Sequence, residues 1–233
     1  MKWSILFILW LFLISGFPAV RGQSQPSTGT IRGSVTAPAV DELTQEILRG
    51  RALMRYRNPG THIEPVVDPY RFGEKAVVFI ETVREDSAFP PPVVHPQLRQ
   101  MQIMFHPLVL PVLSGSTVDF PNDDDLYHNV FSYSQVRVFD LGRYPQGHSR
   151  SVVFSKPGVV KVYCDIHSHM YATILVLQNP YFAVPDDDGS YSIDSIPAGN
   201  YRLTYWYGRR KVSTVQVTVT PNQTVIVNFA YAE

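Results

Sequence analysis

Turn-forming residues divide the chain after Met101 into short segments, and this spacing limits the fold more than any other feature. Glycine, proline and asparagine interrupt the chain at 115, 121–122, 145–147 and 156–158. The intervening runs are rich in β-branched and aromatic residues, which predicts strands. These predicted strands are 103–105, 109–113, 117–120, 129–132, 151–154, 159–163 and 173–177. Because no helical pattern follows residue 100, we predict an all-β sandwich or barrel for this part of the chain.

The two ends of the chain predict further strands and one helix. Residues 30–37 alternate apolar and polar side chains, and 76–82 are strongly apolar, so both segments predict strands. After Asn179, strand composition returns at 190–193, 201–207, 212–220 and 224–230. The exception is 40–57, where leucine and isoleucine recur at helical spacing before Asn58-Pro59-Gly60. We therefore predict one extra N-terminal helix.

Charge and targeting signals narrow the class of protein. Twenty basic and twenty acidic residues balance, so the chain lacks the positive charge typical of nucleic-acid-binding proteins, and we expect no nucleic-acid partner. Within residues 1–22 the basic Lys2 is followed by the apolar run 3–14, a pattern typical of a signal peptide. That run is shorter than a membrane span. We expect a secreted, periplasmic protein without a membrane span in its mature form; a retained N-terminal anchor is the alternative.

One short segment combines several metal-ligating side chains. Cys164, His167, His169 and Met170 lie within seven residues at the end of a predicted strand. The chain has a single cysteine, which cannot form an intrachain disulfide. A thiolate, two imidazoles and a weak axial thioether are the ligands of blue-copper sites. His128, at a predicted loop-to-strand junction, supplies the second imidazole, so the pattern predicts one mononuclear copper ion.

The segments around these residues resemble the cupredoxins, specifically plastocyanin-like and amicyanin-like domains. The similar segments are 115–123, 128–130 and 156–164, and Cys-x₂-His-x₂-Met matches the short ligand loop of the amicyanin type. The resemblance covers 96–178 and implies a cupredoxin Greek-key sandwich. It also implies that Asn129 helps to fix the cysteine sulfur and that a redox partner protein docks near His167. The copper ligands that it implies are His128, Cys164, His167 and Met170.

The residues leave other metal sites open. His169 could join Cys164, His167 and His128 in a tetrahedral zinc site, which needs only nitrogen and sulfur ligands. The carboxylates of 123–125 and 186–188 could bind a hard cation, although neither segment has the spacing of a calcium loop. Phosphate-binding, nucleophile-elbow and haem-attachment motifs are absent from the sequence. We therefore expect no enzymatic activity.

A second resemblance concerns the C-terminal part of the chain. The Gly-x-Tyr strand at 189–191 and the Ile-Pro-x-Gly-x-Tyr turn at 196–201 resemble the carboxypeptidase-regulatory-like, or prealbumin-like, β-sandwich. Residues 29–37 and 76–82 look like the first strands of that family. We therefore predict that the cupredoxin domain 96–178 is inserted in an immunoglobulin/prealbumin-like sandwich formed by 28–95 plus 179–233. A single joint sandwich is the competing arrangement.

Three functions follow from these patterns. The leading hypothesis is a one-electron carrier with a type 1 copper site. The second is a copper-handling or sensing protein that uses the same ligands without fast redox cycling. The third is an envelope scaffold or polysaccharide-binding β-protein, in which the aromatic strand 201–207 contacts sugar; core packing is the alternative role of that strand.

Overall fold

The structure is a computed structural model that describes residues 27–37, 70–83 and 89–231. The predicted signal peptide 1–22 and the predicted helix 40–57 lie outside these residues. Within the described part of the chain, the only helical element is one 3₁₀ turn, Phe72–Glu74, beside sixteen strands. This architecture confirms the all-β prediction.

The strands follow one another closely along the chain. In order they are β1 Thr28–Ser34, β2 Ala76–Ile80, β3 Arg99–Met101, β4 Met104–His106, β5 Val109–Leu113, β6 Ser116–Pro121, β7 His128–Ser132, β8 Phe139–Tyr144, β9 Ser149–Phe154, β10 Gly158–Tyr163, β11 Tyr171–Leu177, β12 Phe182–Ala183, β13 Ser190–Pro197, β14 Gly199–Tyr207, β15 Arg210–Val219 and β16 Thr224–Ile226.

The middle of the chain forms a sandwich. Strands β5, β11, β10, β7 and β8 make one sheet in that order, with β5 parallel to β11 and the other pairs antiparallel. The β6–β9 and β3–β4 pairs supply the opposite side. Alternate residues of β6 point inward, as Val118 and Phe120 do, and they pack against Val130, Val160 and Ile174 of the five-stranded sheet in one buried cluster. Burial of this apolar surface is the main force that holds the sandwich together.

The two ends of the chain share two further sheets. Strand β1 lies between β13 and β16, and β2 lies between β12 and β14, with β15 at the edge. Their inward faces form a second buried cluster that includes Ile31, Val78, Ile193, Leu203 and Tyr205. Strand pairing thus joins residues before 81 to residues after 181. The proposed boundaries between the two domains, at 95 and 179, stay a prediction.

A third cluster connects the sheets of the two ends with the central sandwich. Phe79 of β2 and Trp206 of β14 pack with Val109, Leu175 and Leu177 of β5 and β11. Trp206 is only 7% exposed, and on the other face of β14 Leu203, Tyr205 and Tyr207 are buried while Tyr201 is partly buried. The aromatic strand therefore has a packing role, and within 203–207 neither face is free to contact sugar.

Replacing Trp206 with phenylalanine is expected to destabilise the protein by about 1–3 kcal/mol. The indole Nε1–H donates a 2.8 Å hydrogen bond to the carbonyl of Gly208, and phenylalanine would leave that buried acceptor unpaired. Urea unfolding measures the change. Tyr133→Phe is the matched control because Tyr133 is 78% exposed; equal stabilities of the two variants would contradict the packing role of Trp206.

The sequence pattern does not predict β3, β8 and β12. Of these three strands, β8 is the most informative. Its sequence, Phe-Asp-Leu-Gly-Arg-Tyr, includes two charged residues and a glycine, and most of its side chains are not buried. It is an edge strand held by backbone pairing with β7. Such pairing depends on the neighbouring strand rather than on apolar alternation, so the period-2 pattern does not reveal it.

Candidate metal centre

Two adjacent strands bring the predicted metal ligands to one end of the five-stranded sheet. His128 begins β7, and Cys164 directly follows β10. These strands are antiparallel, with Tyr163 opposite Phe131, so the start of β7 lies beside the end of β10. The loop 164–170 then connects β10 to β11, whose register pairs Tyr163 with Tyr171. This tight loop places His167 against His128.

The donor atoms of three predicted ligands converge in the interior. The Nδ1 atoms of His128 and His167 are 2.9 Å apart, and the Cys164 sulfur is 4.0 Å from His167 Nδ1. Among the described residues, these three form the one group of histidine, cysteine and carboxylate ligand atoms that lie within 4.8 Å of one another. Metal–nitrogen bonds of about 2.0 Å and metal–sulfur bonds of about 2.3 Å fit such separations. The donor set suits copper or zinc.

The histidine rings present their Nδ1 atoms toward one another. His128 is fully buried, and its Nε2 lies 2.9 Å from Asp124 Oδ2. Because a carboxylate only accepts, Nε2 carries a proton, and Nδ1 is the ring nitrogen that a metal ion can use once any proton on it has left. Metal-ligating histidines commonly donate their other N–H to a carboxylate in this way. The orientation of His128 is therefore suitable for metal binding through Nδ1.

Electrostatics favour the thiolate of Cys164. Burial raises the pKa of this thiol, but hydrogen bonds with His128, His167 and the Asn129 amide outweigh burial and lower the pKa to about 6. Burial also lowers the pKa of His128, whereas its hydrogen bonds with Asp124 and Cys164 raise that pKa to about 9. In the metal-free protein the sulfur is thus a thiolate near neutral pH. A metal ion must compete with protons here, so its affinity falls as the pH decreases.

Met170 belongs to the same buried cluster as Cys164 and is 1% exposed. Its backbone closes the ligand loop: its N–H donates to the carbonyl of His167 at 2.9 Å, and its carbonyl accepts from the Cys164 N–H at 3.3 Å. These bonds hold Met170 near the cysteine. The role of its thioether as an axial ligand stays a prediction.

Asn129 connects β7 to the ligand loop. Its backbone amide helps to lower the pKa of the Cys164 thiol, and its side-chain oxygen accepts from the Asp165 N–H at 2.8 Å. Its amide nitrogen donates to Asp140 Oδ1 at 3.0 Å. Asn129 therefore bonds to the residue that follows the cysteine; its role in fixing the sulfur stays a prediction.

His169 lies apart from the three converging donors. Its Nε2–H donates to the carbonyl of Ile103 at 3.0 Å, and its ring centroid is 6.4 Å from that of His167. It does not join the group of ligand atoms described above. This geometry gives no support to the alternative in which His169 completes a zinc site.

The carboxylate segments have local structural roles. Asp123 pairs with Arg99 at 2.7 Å, and Asp188 accepts the Ser190 N–H at 2.9 Å in the turn before β13.

Asp124 is the functional candidate that sequence reasoning missed. The one pattern in the sequence that points to Asp124 is its position four residues before His128, a predicted ligand. Because Asp123 and Asp125 flank it, the spacing does not single out Asp124.

Comparisons with known proteins cover parts of the chain. The family model described as polysaccharide lyase family 4, domain II, matches residues 172–227. No curated protein sequence matches the chain. Within the described residues, no helix has the length and hydropathy needed to cross a membrane.

Several solved structures are similar to part of the chain. A Cu-containing nitrite reductase from Thermus scotoductus SA-01 is 24% identical, with a TM-score of 0.36 over 42% of this chain and 25% of the reductase. A purple cupredoxin from Nitrosopumilus maritimus is 30% identical, with a TM-score of 0.30 over 31% of this chain and 81% of the cupredoxin. An oxidized amicyanin mutant is 20% identical, with a TM-score of 0.34 over 35% of this chain and 81% of amicyanin. The chain thus spans a quarter of the nitrite reductase.

Proposed function

We propose that this protein is a secreted, periplasmic type 1 copper protein that carries one electron at a time. The observation that supports this function best is the convergence of the His128, His167 and Cys164 donor atoms in a buried site. Copper bound there would supply reversible one-electron chemistry between Cu(I) and Cu(II), for which a mixed thiolate and imidazole donor set is suited. Met170 would act as the weak axial ligand.

The ligands of this site are preorganised in the metal-free protein. The donor residues are at most 9% exposed, so the surrounding side chains keep bulk water away. Two of them are fixed at strand ends, and hydrogen bonds hold the connecting loop. A rigid site changes little between oxidation states, which favours rapid electron transfer.

A redox partner would dock where His167 approaches the surface. Leu126 and Tyr127 precede His128, and Ile166 precedes His167; these three apolar side chains are 45%, 59% and 38% exposed. The two histidine rings are 4.7 Å apart, so the exposed residues flank the same site. An apolar surface of this kind suits a transient protein complex.

We also propose that 28–95 and 179–233 form a carboxypeptidase-regulatory-like sandwich into which the cupredoxin domain 96–178 is inserted. The pairing of β1 and β2 with C-terminal strands supports this arrangement. Insertions are tolerated at the surface of a folded domain, where they leave the core intact. The function proposed for the sandwich is mechanical support, without enzymatic activity.

Titration of the purified protein with Cu(II) tests the proposed function. We expect one copper ion per chain, an intense visible absorption from thiolate-to-copper charge transfer, and fast electron self-exchange. His128→Ala should remove this absorption, whereas His148→Ala, a change at an exposed histidine, should leave it intact. A colourless complex would contradict a type 1 site; a coloured complex with slow self-exchange would favour copper storage or sensing. Preferential retention of Zn(II) would favour the zinc alternative.

A further inference from the structure

The turn between β3 and β4 has an unusual sequence for its shape. Met101 pairs with Met104, so Gln102 and Ile103 alone form the connection. Both have positive φ, 57° and 59°. Two-residue hairpin turns with two positive φ values favour Asn-Gly, and a Gln-Ile pair needs additional stabilisation to adopt this conformation.

The carboxylate of Asp124 supplies that stabilisation. Oδ1 accepts the Gln102 N–H at 2.6 Å, and Oδ2 accepts the Ile103 N–H at 2.8 Å. Asp124 is itself oriented by Asn122, whose side-chain oxygen accepts the Asp124 N–H at 3.0 Å. Hydrogen bonds to an ionised group are stronger than those between neutral groups. Asp124 therefore connects the turn to the segment that precedes β7.

The same carboxylate also holds a predicted metal ligand. Asp124 Oδ2 accepts the His128 Nε2–H at 2.9 Å, and the two side chains are 14% and 0% exposed. The bond fixes the ring orientation in which Nδ1 faces His167 and Cys164. Asp124 thus acts on the metal centre through His128.

The turn also contacts the ligand loop 164–170. The carbonyl of Ile103 accepts the His169 Nε2–H at 3.0 Å, and His169 lies two residues after His167. Ile103 packs in addition against the core of the sandwich. One hairpin turn is therefore bonded, directly or through Asp124, to both segments that carry the predicted ligands.

We propose that Asp124 and the Gln102–Ile103 turn form a positioning element for the copper site, which orients His128 and stabilises Cu(II) relative to Cu(I). This inference rests on the proposed copper function. A carboxylate that accepts a hydrogen bond from the imidazole N–H makes the histidine a stronger electron donor to the metal. Its negative charge also stabilises the doubly charged ion more than the singly charged ion.

Asp124→Asn tests this role because asparagine keeps an acceptor for His128 and removes the charge. Mutation of a residue that hydrogen-bonds to a metal ligand typically lowers the metal affinity by about 10- to 100-fold. We expect a loss of this size for Cu(II), measured by competition with a chelator, and a smaller loss for Cu(I). The reduction potential should rise accordingly, by about 59 mV for each tenfold difference between the two losses.

Asp125→Asn is the matched control, since it removes the same charge from the adjacent, exposed position. If the two variants have equal Cu(II) affinities and potentials, the positioning role is overturned. If the wild-type protein forms no coloured Cu(II) complex, the proposed copper function fails instead. The two failures are therefore distinguishable.

Two measurements test the hydrogen bonds themselves. In the metal-free protein, the Gln102 and Ile103 amide protons should exchange at least about tenfold faster in Asp124→Asn than in the Asp125→Asn control. In wild-type protein loaded with Cu(I), which is diamagnetic, the His128 Nε2 proton should be visible by NMR and slow to exchange. Rapid exchange of that proton would overturn the proposal even if the variant does not fold.

Discussion

Replacing Cys164 with serine is expected to abolish the intense visible absorption and to weaken copper binding by more than about 100-fold. Changes to residues that merely support a ligand already cost about 10- to 100-fold in affinity, and Cys164 is the only cysteine in the sequence. Serine is nearly isosteric, but its hydroxyl is not ionised near neutral pH. Absorption spectroscopy and chelator competition measure the two effects.

Met170→Leu provides the comparison for this result. Leucine has a similar volume in a site that is 1% exposed, so the core should remain packed. Because the predicted axial bond is weak, the variant should keep the visible band and change the reduction potential. A Cys164→Ser protein that keeps the band would contradict the copper assignment. Complete loss of copper binding in Met170→Leu would contradict the axial role of Met170.

Replacing Gly33 with alanine is expected to destabilise the protein by about 3 kcal/mol. A Cβ atom at Gly33 would lie 1.7 Å from the carbonyl oxygen of Val227, which also accepts the Tyr191 hydroxyl at 2.7 Å. The clash is with backbone, so relief requires β1 to separate from the segment after β16. Overpacking of this kind typically costs about 1–3 kcal/mol, and a backbone clash belongs at the upper end. Chemical denaturation measures the loss.

Gly147→Ala is the control for this substitution. An added Cβ at Gly147 meets no atom within 4 Å, and only its φ of +76° opposes alanine. The expected cost is about 1 kcal/mol. Equal destabilisation by the two substitutions would contradict the packing of β1 against the C-terminal segment. Since Gly33 lies outside the sheet that carries the ligands, the folded Gly33→Ala protein should still bind copper with unchanged colour.

Local patterns were sufficient for much of the fold. Alternation in segments such as 117–120 and 159–163 predicted strands close to β6 and β10 because one face of each strand is buried. The same patterns did not reveal β8, which is exposed and depends on β7, or the β3–β4 turn, whose residues lack a turn signature. In both cases the stabilising partner is distant in the sequence.

The chemistry available at the metal centre follows from residue types that are close together in the chain. The residue types and spacing of Cys164, His167 and Met170 are local properties, so they indicate a soft metal site whatever the rest of the chain does. The roles of Asp124 and Trp206, in contrast, arise only when the chain folds. Asp124 became a partner of His128 and of the 102–103 turn, and Trp206 became buried, because these contacts depend on which loops and sheet faces meet after folding.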